Sequence, residues 1–466
     1  MNPARAETAG RLMAEGEHVG GALVVPMRFG LEDRPGPTES VLFGLQHVLI
    51  MFTAMIASPL IIGQTLDLPP GLRGSLVTGV MLGCGLGTLI SAFGVFGIGA
   101  RLPLLLGAYT AFIGPVVAIT RAEGPAAAAG AMMTGGFVLV AVSPALARLR
   151  PAFPPLVIGA LLVITGQTLL KIAVTVGLGL NTPYFGSALP AGFLVASVVL
   201  IAAVTMMTKG LLRSLSIFLS LGVVYAAAVT LGLGRFQPVL DAPWFRFPSL
   251  LPFGLDWPSW GALSTVLIYY LVTAIYTMSI ALAVCAMLGV DSSHERIRGA
   301  VAGDGAGSVL AVLFGGVPLI SYDQNVGAIS LTGVASRFVI ATSGAILVVM
   351  AFVPKFAAAI GLIPPFVLGG TLVFMFGMIV VVGIRMLAEV ATSIRDVLIL
   401  AASIGLSGAV NFAPPGALEF LPPAARILAL DGIVVGTLAA ILLNLLIPNG
   451  PSESRLAAST SATRGR

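Results

Sequence analysis

Stretches of about 20 predominantly apolar residues recur along this chain from Ser40 to Pro448, the length an α-helix needs to cross a hydrocarbon core of about 30 Å. A chain of 466 residues that is 57% hydrophobic and only 9% charged, with a mean hydropathy of +1.04, has too little polar surface to cover a soluble core. In lipid every backbone polar group must be paired internally, so the spanning structure is either helical or a closed barrel. Barrel strands would alternate polar and apolar residues over segments of about 10, and no such alternation is present. The fold class is therefore an all-α polytopic membrane protein.

Apolar runs and the polar breaks between them place spans near 41–64, 74–98, 102–120, 125–146, 153–173, 190–208, 212–233, 260–289, 299–319, 322–335, 338–361, 365–387, 393–411 and 427–447, fourteen in all. Arg148 and Arg150, Lys209 and Arg213, Arg296 and Arg298, Arg337, and Arg385 with Arg395 then fall in connections on the side of the N-terminus. That is the cytoplasmic side by the positive-inside rule, and an even count puts both termini there. Arg121, Lys171, Arg235, Arg246 and Arg426 are among the exceptions. The first 34 residues mix four arginines with five acids and have no apolar core of their own, so residues 1–40 read as a cytosolic tail rather than a cleaved signal. Residues 449–466, rich in Ser, Thr, Ala and Arg, read as a disordered cytosolic tail. The net charge of +5 comes from arginines in short loops, so it reflects topology, and no nucleic-acid partner is indicated. Cys84 and Cys285 lie in apolar runs as small hydrophobes; neither a disulfide, a metal nor a cofactor is expected.

Two of the fourteen segments are poor helices. One runs from Leu106 to Pro115 and the other from Ser321 to Gly327; each is short and broken by Gly, Pro or hydrogen-bonding residues. They are the third and the tenth, the same place in two halves of seven, and halves with an odd number of spans insert in opposite orientations. Matching broken segments in inverted halves point to a site at the bilayer midplane, because irregular backbone is tolerated there only where it is buried in protein or lines a cavity. Gly and Pro also serve as kinks and packing points, the ordinary reading for any single glycine.

The polar residues at these breaks need a reason to be in lipid. An unpaired amide in an apolar medium costs roughly 4 to 8 kcal/mol, so Gln324 and Asn325 must meet either a protein partner or a ligand. Asp304 and Asp323 are the acids within spans 8 to 10, and each costs about 2.5 to 3.5 kcal/mol at a helix centre, so protonation or pairing is expected. Both are candidate proton carriers; Asp304 is alternatively paired with span 1 or 10, and Asp323 alternatively caps the half-helix that follows it. His47, one of three histidines, either joins a proton relay or hydrogen-bonds across the core.

Gln324-Asn325-Val326-Gly327, followed after four residues by Thr332-Gly333, resembles the signature of the nucleobase–ascorbate transporter family, the uracil and xanthine permeases. Gln46-His47, Leu106-Gly107 through Gly114-Pro115, Asp304, Gly369-Gly370 and Gly383-Ile384-Arg385 follow the same family pattern in order, from about Phe29 to Pro448. The resemblance implies a 7+7 inverted repeat with short strands in segments 3 and 10. It also implies a core domain (41–146 and 260–361), a gate domain (147–259 and 362–448), elevator-like transport, and a homodimer in the inner membrane. Its expected substrate is a nucleobase carried with protons. The amide of Gln324 offers one donor and one acceptor in a plane, matching a nucleobase edge, and Gln rather than Glu there resembles the xanthine and urate permeases.

Three departures from the family pattern concern the site. The segment-8 glutamate is missing, since 257–290 contains no Asp or Glu, and Tyr276 and Thr277 become the polar candidates. Tyr109-Thr110 stands where a Ser-Phe pair is usual, and Asp323 where a small neutral residue is usual. Asp323 is expected either to replace the missing carboxylate in part, or to accompany a shift of recognition to neutral hydroxyls. The loss also leaves open an uncoupled facilitator, or a carrier for another small planar or anionic solute. Three dispersed histidines argue against a membrane-embedded enzyme, and no charged filter ring suggests a channel.

Overall fold

The computed structural model describes residues 18–19, 22–23, 27–148, 154–180, 182–209, 212–213, 215–233, 237–322, 324–361, 363–390, 393–414, 416–421, 429 and 432–447. Asp323 and the tail 449–466 lie outside these. Among the described residues, eight helices are long and apolar enough to cross a membrane, or nine if one bent pair is a single span.

The first part of the chain builds α1 (Pro37–Thr65), α2 (Pro70–Phe93), a short strand β1 (Leu106–Ala108), α3 (Ile113–Glu123) and α4 (Pro125–Arg148). Prolines open α1, α2 and α4, where a missing N–H costs nothing. Then follow α5 (Pro155–Gly177), α6 (Ala188–Met207), α7 (Ser216–Thr230) and the short α8 (Gln237–Asp241). The 29-residue α9 (Trp260–Leu288) is capped by the Ser259 hydroxyl, which accepts from the Ala262 N–H at 3.1 Å, and ends at Gly289 with φ of 62°. Next come α10 (His294–Leu313), strand β2 (Leu319–Ser321), α11 (Gln324–Thr332), α12 (Arg337–Ala351), α13 (Pro354–Gly361), α14 (Pro365–Val390), α15 (Ile394–Asn411) and α16 (Gly432–Leu446).

The chain divides into two compact units, one of residues 1–148 with 172–375 and one of 149–171 with 376–466. In the first, α10 packs on α4 and α2, and α12 packs on α2. The approach is close because the facing residues are small: a Cβ on Gly83 would lie 2.3 Å from that of Ala311. In the second unit, Leu156, Val163, Leu387 and Ile399 form an apolar cluster, and α15 packs on α16. There the Arg395 guanidinium donates to the Asn444 side-chain and main-chain oxygens at 3.0 and 2.7 Å.

The expected single span at 338–361 is instead α12 followed by α13, bent by 88°. Pro354 has no N–H to continue the ladder, and the chain turns there with Phe352 and Val353 bonded back to Val349 and Met350. The expected breaks in segments 3 and 10 are both present, each as a strand of three residues leading into a short helix.

Candidate functional site

The two strands pair antiparallel in the middle of the first unit, with Leu106 opposite Ser321, Gly107 opposite Ile320 and Ala108 opposite Leu319. The ladder continues at both ends: the Tyr109 N–H donates to the Pro318 carbonyl at 2.9 Å and the Tyr322 N–H to the Leu105 carbonyl at 3.0 Å. Six strand residues are fully buried, so this small sheet exists only because protein surrounds it. The chain leaves β1 through Tyr109 and a 3₁₀ turn (Thr110–Phe112) into α3; α11 begins at Gln324, three residues past Ser321.

Side chains on neighbouring helices hold both strands by equivalent contacts. The Thr88 hydroxyl of α2 accepts from the Leu106 N–H at 3.0 Å, and the Ser308 hydroxyl of α10 accepts from the Leu319 N–H at 2.8 Å, each at its strand's first residue. Between these helices Gly87 meets Gly307, where a Cβ on the former would sit 2.9 Å from the Cα of the latter. Tyr322 ties the strands together. Its hydroxyl donates to the Ala108 carbonyl at 2.6 Å, and its ring lies so close over Gly107 that a Cβ there would fall 2.2 Å from the ring.

Asp304 is fully buried on α10 and uses both oxygens. One accepts from the Ser321 hydroxyl at 2.8 Å; the other accepts from the Ser321 N–H at 3.0 Å and from the Thr277 hydroxyl of α9. The carboxyl group joins α9, α10 and the strand before α11. Three donors offset its removal from water, as a buried charge requires. Thr277, expected at the substrate, is fully buried and spends its hydroxyl on Asp304. Asn325 is fully buried, donates to the Pro103 carbonyl just before β1, and sits against His47 of α1, which is 1% exposed.

The remaining expected residues lie around the same junction. Gln324 is half-buried at the first position of α11, and Thr110 is 7% exposed at the entry to α3. Tyr109 faces Tyr276 of α9, with ring centroids 6.4 Å apart and planes within 9° of parallel. Behind Tyr109 lies Phe112 at 6.0 Å, and Phe112 packs on Tyr269 and Tyr270 at 5.5 and 5.1 Å. Sequence reasoning missed Thr88, Ser308, Ser321, Tyr322 and the Phe112 cluster. Serine and threonine in apolar helices usually bond back to their own turn, as Thr273 does here, so nothing in the sequence separates these from ordinary ones. Among the described residues no group of three or more His, Cys, Asp or Glu is placed to hold a metal ion.

Paired strands, two short helices, an amide and facing rings thus meet at one junction in the first unit. The model of the Permease family Xan_ur_permease matches residues 38–416. The putative purine permease CPE0397 of Clostridium perfringens is 35% identical over 431 residues, covering 92% of this chain and 95% of its own. Uric acid permease PucK of Bacillus subtilis is 33% identical, covering 89% and 96%, and xanthine permease XanQ of Escherichia coli K12 is 29% identical, covering 97% and 99%. Among solved structures, the transmembrane domain of the cyanobacterial bicarbonate transporter BicA superposes with a TM-score of 0.56 at 16% identity, over 90% of this chain and all of that one. Murine Slc26a9 in the inward-facing state gives 0.59 at 12% identity, over 94% and 75%. These two likenesses concern the fold alone.

Proposed function

This chain belongs to the Xan_ur_permease family of membrane transporters, and we propose that it carries a purine of the xanthine or urate type across the inner membrane in company with protons. The observation that carries this reading is the position of Gln324. It is half-buried at the first position of the short helix that follows the second strand, and in this reading its planar donor and acceptor take a base edge. The names of the similar purine, uric acid and xanthine permeases support the substrate class. Tyr109, Thr110 and Tyr276 complete the proposed site, with Asn325 and Thr277 beneath it as supports.

The proposed transport cycle moves a core domain, which holds the strands, past a gate domain in an elevator-like stroke, within a homodimer whose subunits have both termini in the cytoplasm and are built as 7+7 inverted repeats. Asp304 and His47 are the proposed proton-linked groups. The carboxylate touches the strand that precedes Gln324, so a proton on Asp304 would weaken its hold on Ser321 and shift the backbone beside the substrate. One proton entering down the membrane potential supplies about 2.3 kcal/mol per 100 mV, roughly fiftyfold accumulation at one proton per substrate.

A second reading, the uncoupled facilitator, draws on α9, which carries no Asp or Glu anywhere along its length. Uptake of radiolabelled purines, pyrimidines and ascorbate in proteoliposomes, with and without an imposed pH gradient, separates the two. The proton-coupled reading expects saturable xanthine or urate uptake that an inward proton gradient accelerates. Saturable uptake indifferent to the gradient would favour the facilitator, and flux of no nucleobase would overturn the substrate class.

A further inference from the structure

A cavity of about 850 Å³ opens in the first unit between the first turns of α2, the connector that follows α8 and the bend between α12 and α13. The continuous helix α1 stops at Thr65, α2 starts at Pro70 and α12 stops at Ala351. The cavity therefore sits where apolar spans give way to the membrane boundary, at the end of α1 away from the N-terminus. The connector carries Trp244, Phe245 and Phe247, which are 76%, 60% and 73% exposed. Tryptophan collects at that depth, where lipid headgroups meet acyl chains.

Direct contacts fix the walls. The Lys355 ammonium of α13 donates to the Val239 and Leu240 carbonyls at the end of α8, at 2.8 and 3.0 Å, and lies 5.0 Å from the centre of the Trp244 ring. The Arg246 N–H donates to the Phe352 carbonyl at 3.1 Å, and the rings of Phe245 and Phe247 each lie 5.8 Å from that of Phe352. Further along, the Leu251 N–H donates to the Leu313 carbonyl at the end of α10, at 2.8 Å. The connector is thus fastened to the core at three places. On the α2 side, a Cβ added to Gly71 or Gly74 would meet nothing within 4 Å, so close packing requires neither glycine.

The lining is amphipathic. Leu72, Phe247, Phe314 and Ala357 give it apolar surface, whereas Arg73 and Arg246 bring guanidinium groups and Asp241 a carboxylate. Arg73 is partly satisfied, with its Nε donating to the Leu68 carbonyl at 2.6 Å and one terminal nitrogen to Asp67 at 2.9 Å. Asp241 accepts from the Gln237 amide at 2.9 Å. Arg246 is exposed, and no carboxylate pairs with it among the described residues. Guanidinium forks match phosphate geometry, so the polar side of this cavity suits a phosphate and its apolar side suits hydrocarbon. We infer that the cavity holds a membrane phospholipid, its phosphodiester between Arg73 and Arg246 and the start of an acyl chain on the apolar surface. A soluble anion would leave that surface and the exposed aromatic residues without a partner, which is the reason to assign a lipid. The site shares no residue with the Gln324 junction, and the inference stands whatever solute is carried.

The test titrates the full chain, purified in detergent, with palmitoyl-oleoyl phosphatidylglycerol and follows lipid retention by native mass spectrometry alongside thermal melting. Wild type is compared with Arg246→Gln, Gly74→Leu and, as a control at an exposed arginine outside the cavity, Arg213→Gln. Wild type should melt higher as lipid is added, because a ligand that binds only the folded state raises its stability. Arg246→Gln should bind about fivefold more weakly, the worth of one arginine at a headgroup surface. Gly74→Leu puts a side chain into the cavity and should retain one lipid fewer than wild type. Its melting without lipid should be no lower, since leucine favours a helix more than glycine does. Arg213→Gln should bind as wild type does. Wild-type affinity in either Arg246→Gln or Gly74→Leu would overturn the site, and so would an equal loss in Arg213→Gln. Inorganic phosphate at the same concentration should leave the melting unchanged; stabilisation by phosphate equal to that by lipid would overturn the lipid assignment. Should one cavity variant lack the wild-type melting transition, the other decides.

Discussion

Segments 106–123 and 319–332 are built on the same plan, strand then short helix, yet they are secured by different chemistry. The first is anchored by two side-chain contacts to its strand, Thr88 to the Leu106 N–H and the Tyr322 hydroxyl to the Ala108 carbonyl, and otherwise by packing: Phe112 among tyrosines, and Gly107 beneath the Tyr322 ring. The second is pinned by a polar network, with Ser308 on Leu319, Asp304 on both polar groups of Ser321, and Asn325 reaching across to Pro103. A dyad in backbone geometry has thus diverged into one segment held mainly by packing and one held mainly by polar contacts.

The largest break in that comparison is Asp304→Ala. Removing the carboxyl group leaves three buried donors without their acceptor, at about 1 to 3 kcal/mol for each that finds no other partner. Melting in detergent should fall by many degrees and uptake should vanish; unchanged melting would mean that the network does not hold the second segment.

Next in size is the matched pair Ser308→Ala and Thr88→Val, which cut the equivalent anchors of the two strands. Interhelical hydrogen bonds within membranes average about 0.6 kcal/mol with a maximum near 1.7, so Ser308→Ala, which also loses its bond to the Asp304 carbonyl, should cost about 1 to 2 kcal/mol and Thr88→Val nearer 0.6. Equal losses in the melting curves would remove the asymmetry argued above.

The smallest effect concerns the C-terminal end of α11, where the chain near Phe29 pairs with Val334 and the Glu32 carboxylate accepts from Arg337 at 2.7 to 3.0 Å. Glu32 is 62% exposed, so Glu32→Gln should cost well under about 1 kcal/mol and the cost should shrink further in high salt. A larger, salt-independent loss would show that the N-terminal segment does more to hold segment 10 than a surface ion pair can.

Much of this architecture is legible in the sequence because lipid enforces it. Apolar length marks the spans, and the breaks at Gly107 to Pro115 and Ser321 to Gly327 stand out because polar groups there need partners. Asp304, Asn325 and His47 were identifiable for the same reason: polar groups at those depths are costly. The identity of their partners was not legible. Thr277 reads as a substrate contact when α9 is considered alone, and only the packing of α9 against α10 turns its hydroxyl toward Asp304. The bend at Pro354 was hidden by apolar residues on both sides, which give one continuous hydropathy run whether or not the helix is broken. Tyr276 was chosen for its hydroxyl, whereas the structure directs attention to its ring.

The central claim is that a purine is read at the start of α11 by Gln324. Equilibrium binding of radiolabelled xanthine to purified wild-type protein and to Gln324→Ala, at matched melting temperature in the absence of ligand, tests it most directly. The account predicts saturable binding by the wild type and an affinity weaker by at least about fivefold in the variant, since losing a pair of base-edge hydrogen bonds costs about 1 to 3 kcal/mol. Equal affinity in the two proteins would contradict it.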